Sequence, residues 1–389
     1  MINKKNDFYY CPNCLSTNLR PNGWFDKRGL CFPCESESKE VFIDFSTRVR
    51  HLRSYIKKIN NNSSKNSNEK YDCIVGVSGG KDSTRQALWV KERLGMNPLL
   101  VCITYPPIQS TELGKKNLIN LVDMGFDIIT FTPAPETSRK LTKEGFYMFG
   151  NVSKATEKVL HSEVPRIALM ENVKLIFWGD NQATQTGDMA TLGCNIFDGN
   201  NLRNMNTLID GGDQWIKDTA KIKNKYKPYF YLDYEELNSA GINTVYLGPA
   251  LDRWTMLDNS IFSILFGLLP NKSSSEKTGD MLRSSMLDEE YTNINMMIKY
   301  YKFGFGRATD LVNGLIRDNT LSREDAIKIV EDLDGVCSDE IISSFCKYIG
   351  ITNDEFWMVI YKFVNKNLFT IQSEGRPIPK FKVGAGLVC

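Results

Sequence analysis

Histidine is nearly missing from this chain: only His51 and His161 occur in 389 residues. Histidine-centred acid–base chemistry or a histidine-rich metal site is therefore not expected. An excess of one charge sign is missing too. Lys and Arg number 48 against 46 Asp and Glu, a formal net charge of +2, which argues against a broad electrostatic hold on nucleic acid. Long apolar runs are also missing. The longest, Ile261 to Pro270, is about ten residues, too short to span a bilayer. The polar Met1–Asp7 segment lacks the apolar stretch of a leader. The expectation is a cytoplasmic chain with no membrane partner, whose cysteines serve as metal ligands or free thiols rather than disulfides. With 42% apolar and 24% charged residues, the composition is that of an ordinary globular protein.

Against that background one stretch stands out. Residues 76–83 read Gly-Val-Ser-Gly-Gly-Lys-Asp-Ser. They follow a short apolar run, Tyr71–Val75, that reads as a buried strand, and precede Thr84–Leu94, which reads as an amphipathic helix. A glycine-rich turn between strand and helix aims backbone N–H groups and the positive helix end at one spot, where an anion can bind. Ser78 and Ser83 add hydroxyls, and Lys81 adds a charge. The common nucleotide loop needs Gly, four residues, then Gly-Lys-Ser/Thr. Here Val75 stands in place of its first glycine and Asp82 follows the lysine.

The cysteines form a second signal. Cys11-x-x-Cys14 and Cys31-x-x-Cys34, sixteen residues apart, have zinc-ribbon spacing. Four thiolates close a tetrahedron with no open position, so a structural zinc is expected, with an iron–sulfur cluster the chemical alternative. The ribbon is placed at residues 1–45. A basic helix and a polar linker (Asn60–Asn68) follow over 46–69.

From Tyr71 apolar strands alternate with helix-length segments. Strands are expected at 99–104, 126–132 and 173–178, with helices near 113–124 and through about 137–171. The pattern predicts an α/β fold with a parallel sheet covered on both faces. Ligands then sit beyond the carboxyl ends of the strands, which gathers residues 76–83, Thr104-Tyr105-Pro106-Pro107 and Gly179-Asp180-Asn181 around one crevice. Residues 181–280 are harder to read, with helical patches expected near 213–224 and 251–268. Residues 281–389 read as mostly helical, and the ATP-type domain is placed at 70–280.

The chain resembles the N-acetyl sugar amidotransferases, the WbpG/PseA-like branch of the PP-loop ATP pyrophosphatases. The supporting strings are YDCIVGVSGGKDS (71–83), LGMNPLLV (94–101), GFDIITFT (125–132), LTKEGFYMFGN (141–151), LIFWGDN (175–181) and YKFGFGRATD (301–310). The resemblance implies a Rossmann-like PP-loop core and an ATP- and Mg²⁺-dependent enzyme. It would convert a sugar acetamido group to acetamidino through an O-adenylyl imidate, releasing AMP and pyrophosphate. Ammonia would come from a separate glutaminase subunit. The setting implied is bacterial surface polysaccharide or nonulosonic acid biosynthesis, on a free or nucleotide-linked sugar.

On this reading Gly76, Val77, Ser78, Gly79, Gly80, Lys81, Asp82, Ser83, Thr104 and Gly179 would hold ATP. Lys81 and Asp82 would serve the chemistry at the phosphates, and Asp180 would orient ammonia, the amide or the metal. Arg139, Arg166, Trp178, Asn181, Lys302, Arg307 and Asp310 are the candidate substrate residues, the last three as a segment closing over the site. Cys11, Cys14, Cys31 and Cys34 would hold zinc. Two departures bear on the substrate: Asp180-Asn181-Gln182 replaces the family's usual Glu-Asn-Pro, and Val164-Pro165 its Pro-Pro. The rival reading is a PP-loop tRNA thiolation enzyme. It needs a cysteine at the crevice, for which Cys73, Cys102 and Cys194 are the candidates.

Overall fold

A computed structural model describes residues 8–39, 44–61, 70–205, 214–216, 224–251, 253–372 and 375–388. Most of the polar linker and most of the helical patch expected near 213–224 lie outside these residues, and the first two linker residues, Asn60 and Asn61, end the helix Phe45–Asn61. Five strands, β1 (Cys73–Val77), β2 (Pro98–Ile103), β3 (Ile128–Phe131), β4 (Leu175–Trp178) and β5 (Asn243–Tyr246), form one sheet in the order β3-β2-β1-β4-β5. Every pairing is parallel, with Cys73 opposite Pro98 and Ile74 opposite both Leu99 and Ile176. β1 therefore lies at the centre, flanked by β2 and β4, and the chain reverses its winding beside it. That is where an open α/β sheet leaves a crevice.

Alternation along the strands builds two cores. Cys73, Val75 and Val77 point to one face, together with Leu100, Cys102, Leu175, Phe177 and Val245. Helices α2 (Phe45–Asn61) and α3 (Lys81–Trp89) cover that face through Leu52, Ile56, Ala87 and Leu88. On the other face Ile74, Leu99, Val101 and Ile176 meet Val164, Ile167 and Ala168 of α6 (Lys154–Met170). Full burial of each aliphatic side chain is worth about 1.5–3 kcal/mol. Helix α4 (Glu112–Asp123) starts at a Thr111 cap that accepts from the Gly114 N–H, and α5 (Pro135–Phe149) joins β3 to α6. The short α7 (Gln182–Gln185) follows β4.

Helix α8 (Tyr234–Ser239) leads into β5, and α9 (Met256–Leu265) and α10 (Ser275–Thr278) follow it. Five helices follow, α11 (Thr292–Phe303), α12 (Arg307–Arg317), α13 (Arg323–Leu333), α14 (Asp339–Ile349) and α15 (Asn353–Phe363), and after them two short antiparallel strand pairs, Phe369–Thr370 with Ile378–Pro379 and Phe381–Lys382 with Gly386–Leu387. Side chains cap α13 and α15: Ser322 accepts from Asp325 N–H and Thr352 from Glu355 N–H.

The cysteine segment does not stand apart. Cys11, Cys14, Cys31 and Cys34 share a core with Ile294, Met297, Val312, Phe345 and Phe356 of the C-terminal helices. The Leu15 N–H donates to Asn313 Oδ1 at 2.7 Å, and the Phe8 and Phe381 rings meet edge-on at 5.0 Å. The four sulfurs lie within 4.8 Å of one another, so this cluster can hold a metal ion. A single ion with about 2.3 Å zinc–sulfur bonds places tetrahedral sulfurs about 3.8 Å apart. The Cys14–Cys31 separation of 3.6 Å suits that arrangement. No helix among the described residues is long and apolar enough to cross a membrane.

Candidate functional site

Residues 78–80 turn sharply from β1 into α3. Gly79 sits at φ +76°, and a Cβ there would lie 2.8 Å from the Leu118 nitrogen. The left-handed backbone and the close approach of α4 both demand glycine. Helix α3 opens at Gly80 with no side-chain cap, so its first-turn N–H groups remain for an anion. Ser78 Oγ accepts from Gly80 N–H at 3.3 Å, and Ser83 Oγ donates to the Gly80 carbonyl at 3.2 Å. The two hydroxyls thus brace the turn from inside.

Lys81 is buried beneath the loop, its Nζ 2.5 Å from Asp82 Oδ2. Asn259 of α9 donates to the other Asp82 oxygen at 2.6 Å and is itself held by Arg85 at 2.7 Å. Ser263, one turn further on, donates to the Lys81 carbonyl at 2.6 Å. Helix α9 is therefore the loop's buttress. Burial pushes the Asp82 carboxyl up, but Lys81, Asn259 and the Arg307 charge outweigh it and hold the group below its ordinary value.

The loop forms one wall of a cavity of about 320 Å³. Gly76, Val77, Ser78, Gly80, Asp82 and Ser83 line it, with Thr104 at the end of β2 and Trp178, Gly179 and Asp180 at the end of β4. Gly76 and Gly179 admit large neighbours. A Cβ on Gly76 would be 3.1 Å from the Trp178 ring, and one on Gly179 would be 2.6 Å from Trp254. Trp254 Nε1 donates to Asp180 Oδ1. Burial, and then the nearby Asp82 charge, raise Asp180 to about 6; Trp254 and Lys81 counteract only in part.

That shift has a measurable consequence. An acid whose folded pKa lies above its unfolded value costs stability as pH rises between the two, here from 3.8 to about 6. Asp180→Asn is expected to stabilise the fold by roughly 2 kcal/mol above pH 7 and to be neutral near pH 4. Thermal unfolding at both pH values checks this. Equal effects at the two would show that Asp180 titrates normally.

Other candidates from the sequence lie outside the cavity wall. Asn181 is buried and caps α7, accepting from Ala183 N–H at 3.1 Å. The Arg166 guanidinium pairs with Glu163 at 2.8 Å and donates to the carbonyls of Phe230 and Lys227. Arg139 is exposed on α5. Lys302 donates to the Phe149 carbonyl at 2.9 Å, and Arg307 to Ser285 Oγ at 2.5 Å. Asp310 is clamped by Arg20 and by Lys299 at 2.5 Å; burial opposes its ionisation, but the two cations outweigh that and lower its pKa. The segment between α11 and α12 is a tight turn: Asp334 accepts from the N–H groups of Gly306 at 2.7 Å and Ala308 at 2.9 Å.

The wall also contains Tyr105, as expected, whereas sequence reasoning missed Gln86, Thr156, Glu157 and Asp288. It also missed Asn259 and Trp254, which act from behind. A signal for the buttress was present, since Asn259 and Ser263 interrupt an apolar helix at a spacing that puts both on one face. Cys73 and Cys102 are buried in β1 and β2, Cys194 is exposed, and no cysteine is among the residues lining the cavity.

Residues 286–382 match the family described as LPS biosynthesis protein WbpG-like, C-terminal domain. A search among curated proteins gives no match. Among solved structures, NMN synthetase from Francisella tularensis aligns at 11% identity over 79% of this chain and 94% of its own, with a TM-score of 0.33. The U34-tRNA thiolase NcsA from Methanococcus maripaludis aligns at 12% over 84% and 95%, TM-score 0.31. An NH3-dependent NAD synthetase from Campylobacter jejuni aligns at 11% over 60% and 100%, TM-score 0.29. These overlaps are too loose to carry an argument of their own. The chain is thus a parallel α/β protein with a glycine-rich loop after its central strand, and its residues 286–382 match a WbpG-like C-terminal domain.

Proposed function

We propose that this protein adenylates a sugar N-acetyl group with ATP and replaces its oxygen with ammonia, giving an acetamidino sugar, AMP and pyrophosphate. The observation that carries the reading is the uncapped loop with Lys81 and Asp82, facing Asp180 across one cavity in a chain with a WbpG-like domain. An amide carbonyl is a poor electrophile. Transfer of AMP to its oxygen makes that oxygen a leaving group, so ammonia can add at carbon. The loop N–H groups and Lys81 would bind the phosphates and stabilise the charge that builds as pyrophosphate departs. Trp178 would wall the acceptor side.

Asp82 and Asp180 are close enough for one to raise the other's pKa, and both line the cavity. Two such hard oxygen donors fit a divalent cation. Magnesium held there would neutralise phosphate charge. The sulfur cluster would hold a structural zinc. The ammonia donor is proposed to be a separate glutaminase, and the acceptor a free or nucleotide-linked sugar of surface-glycan or nonulosonic acid biosynthesis. A thiolation role is less well supported, since none of the described residues that line the cavity is a cysteine.

The test is incubation with ATP, Mg²⁺, ammonium and UDP- or CMP-linked N-acetyl sugars. The expected product is about 1 Da lighter than the substrate, the mass change when oxygen becomes NH, with AMP and pyrophosphate formed alongside. Turnover that instead requires tRNA and a sulfur donor would overturn the proposal.

A further inference from the structure

The WbpG-like segment begins at residue 286, and its third residue reaches the cavity: Asp288 lines the wall with Ser78, Asp82 and Asp180. The backbone around it is firmly held. Its carbonyl accepts from Thr111 N–H at 3.0 Å, and Thr111 Oγ1 donates to the Leu287 carbonyl. A Cβ on Gly114 would lie 2.4 Å from the Asp288 Cα, so α4 packs directly on this backbone. The next residue, Glu289, is spent on structure. It caps α11 by accepting from the N–H groups of Tyr291 and Thr292, each at 2.7 Å, and it also holds Gln109 at 3.1 Å.

The Asp288 carboxylate is different. Among the described residues, its own backbone N–H is the only hydrogen-bond donor acting on it. Asp82 is committed to Lys81 and Asn259, and Asp180 to Trp254. The groups facing Asp288 are Glu289 on its own segment, Cys102 and Tyr105 at the end of β2, and Glu157 on α6 across the cavity. Burial, then the Glu289 charge, raise its pKa to about 7. A carboxylate of that strength is half-ionised near neutrality and can take a proton there.

Resting on the function proposed above, we propose that Asp288 is the proton acceptor when ammonia attacks the adenylated amide. The neutral amide oxygen attacks the α-phosphorus without needing a base. The ammonia step needs one. The ammonia lone pair forms the C–N bond to the carbon of the N-protonated imidate as the C=N π pair moves onto the sugar nitrogen, leaving the positive charge on the attacking nitrogen. One of its protons passes to an Asp288 oxygen. The C–O bond then breaks, AMP leaves with the electron pair, and the amidinium remains. The C-terminal domain thereby supplies the base for the second half-reaction, while the loop after β1 serves the first.

The experiment separates the two halves in the full-length protein. Acceptor-dependent ATP–pyrophosphate exchange reads adenylation, and single-turnover amidine formation with ammonium reads the second step. Asp288→Asn is expected to slow amidine formation about 100-fold or more and exchange by less than about 3-fold. It should also abolish the ascending limb near pH 7 in the amination profile. Asp288→Glu should restore a large part of the rate. Unchanged amidine formation, or an equal fall in both halves in a folded variant, would overturn the assignment. Wild-type protein that shows no exchange with any N-acetyl sugar would instead refute the sugar reading, and this assignment with it.

Discussion

Lys81→Met is expected to lower acceptor-dependent ATP–pyrophosphate exchange by about 10³-fold while leaving the fold intact. The side chain is almost fully enclosed, with 5% of its surface exposed. Its charge sits under the turn whose N–H groups would face the phosphates, where negative charge builds as the α–β bond opens. Methionine fills a similar volume without the charge. The partner, Asp82, opens partly to the cavity and keeps Asn259, so its stranded charge does not destabilise the fold severely. Loss of Lys81 also removes the strongest influence holding the Asp82 pKa down. Lys81→Arg should not rescue: a planar guanidinium neither fits the enclosed space nor reproduces the point charge. Exchange assays paired with thermal unfolding check the claim. Wild-type exchange by Lys81→Met would show that the loop lysine takes no part.

The second large effect concerns the metal. Cys14→Ser is expected to lose the bound ion and to lower the unfolding temperature by about 10 °C or more, because structural zinc contributes on the order of 10 kcal/mol to the segment it organises. The loss should reach well past the ribbon. Cys14 and Leu15 are fully buried in the core that also contains Ile294, Val312 and Phe345, so collapse of the ribbon uncovers the C-terminal helices. Elemental analysis should give one zinc per wild-type chain, and a chelator at raised temperature should reproduce the variant. An unchanged unfolding temperature would show that the cluster needs no metal.

What could be read from the sequence was local. The turn at 76–83 and the paired cysteines are contiguous strings whose chemistry is set by near neighbours, and four strands announced themselves as apolar runs. β5 did not. Its four residues, Asn243–Tyr246, form too short and mixed a run to stand out from the turn-rich segment around them, and pairing with β4 is what defines the strand. The cavity was half legible for the same reason. Residues just after a strand could be placed by topology, whereas Asn259 meets Asp82 from 177 positions away. Arg166 marks another limit. Residue type suggested an anion ligand, but its fork is filled by a neighbouring carboxylate and two backbone carbonyls. Side-chain chemistry names what a group can bind; only packing decides what reaches it.

The shared core of ribbon and C-terminal helices imposes an order on synthesis. Leu15 and Asn313 are 298 positions apart, a gap that a ribosome adding 5–20 residues per second crosses in roughly 15–60 s. Through that interval the ribbon is already out, able to take up its ion, while its apolar side has nothing to rest on. Loading of the proposed metal can therefore precede docking, and docking must wait for the last quarter of the chain. A product terminated before that point would carry the cysteine segment with its apolar side uncovered, a ready target for chaperones and proteases.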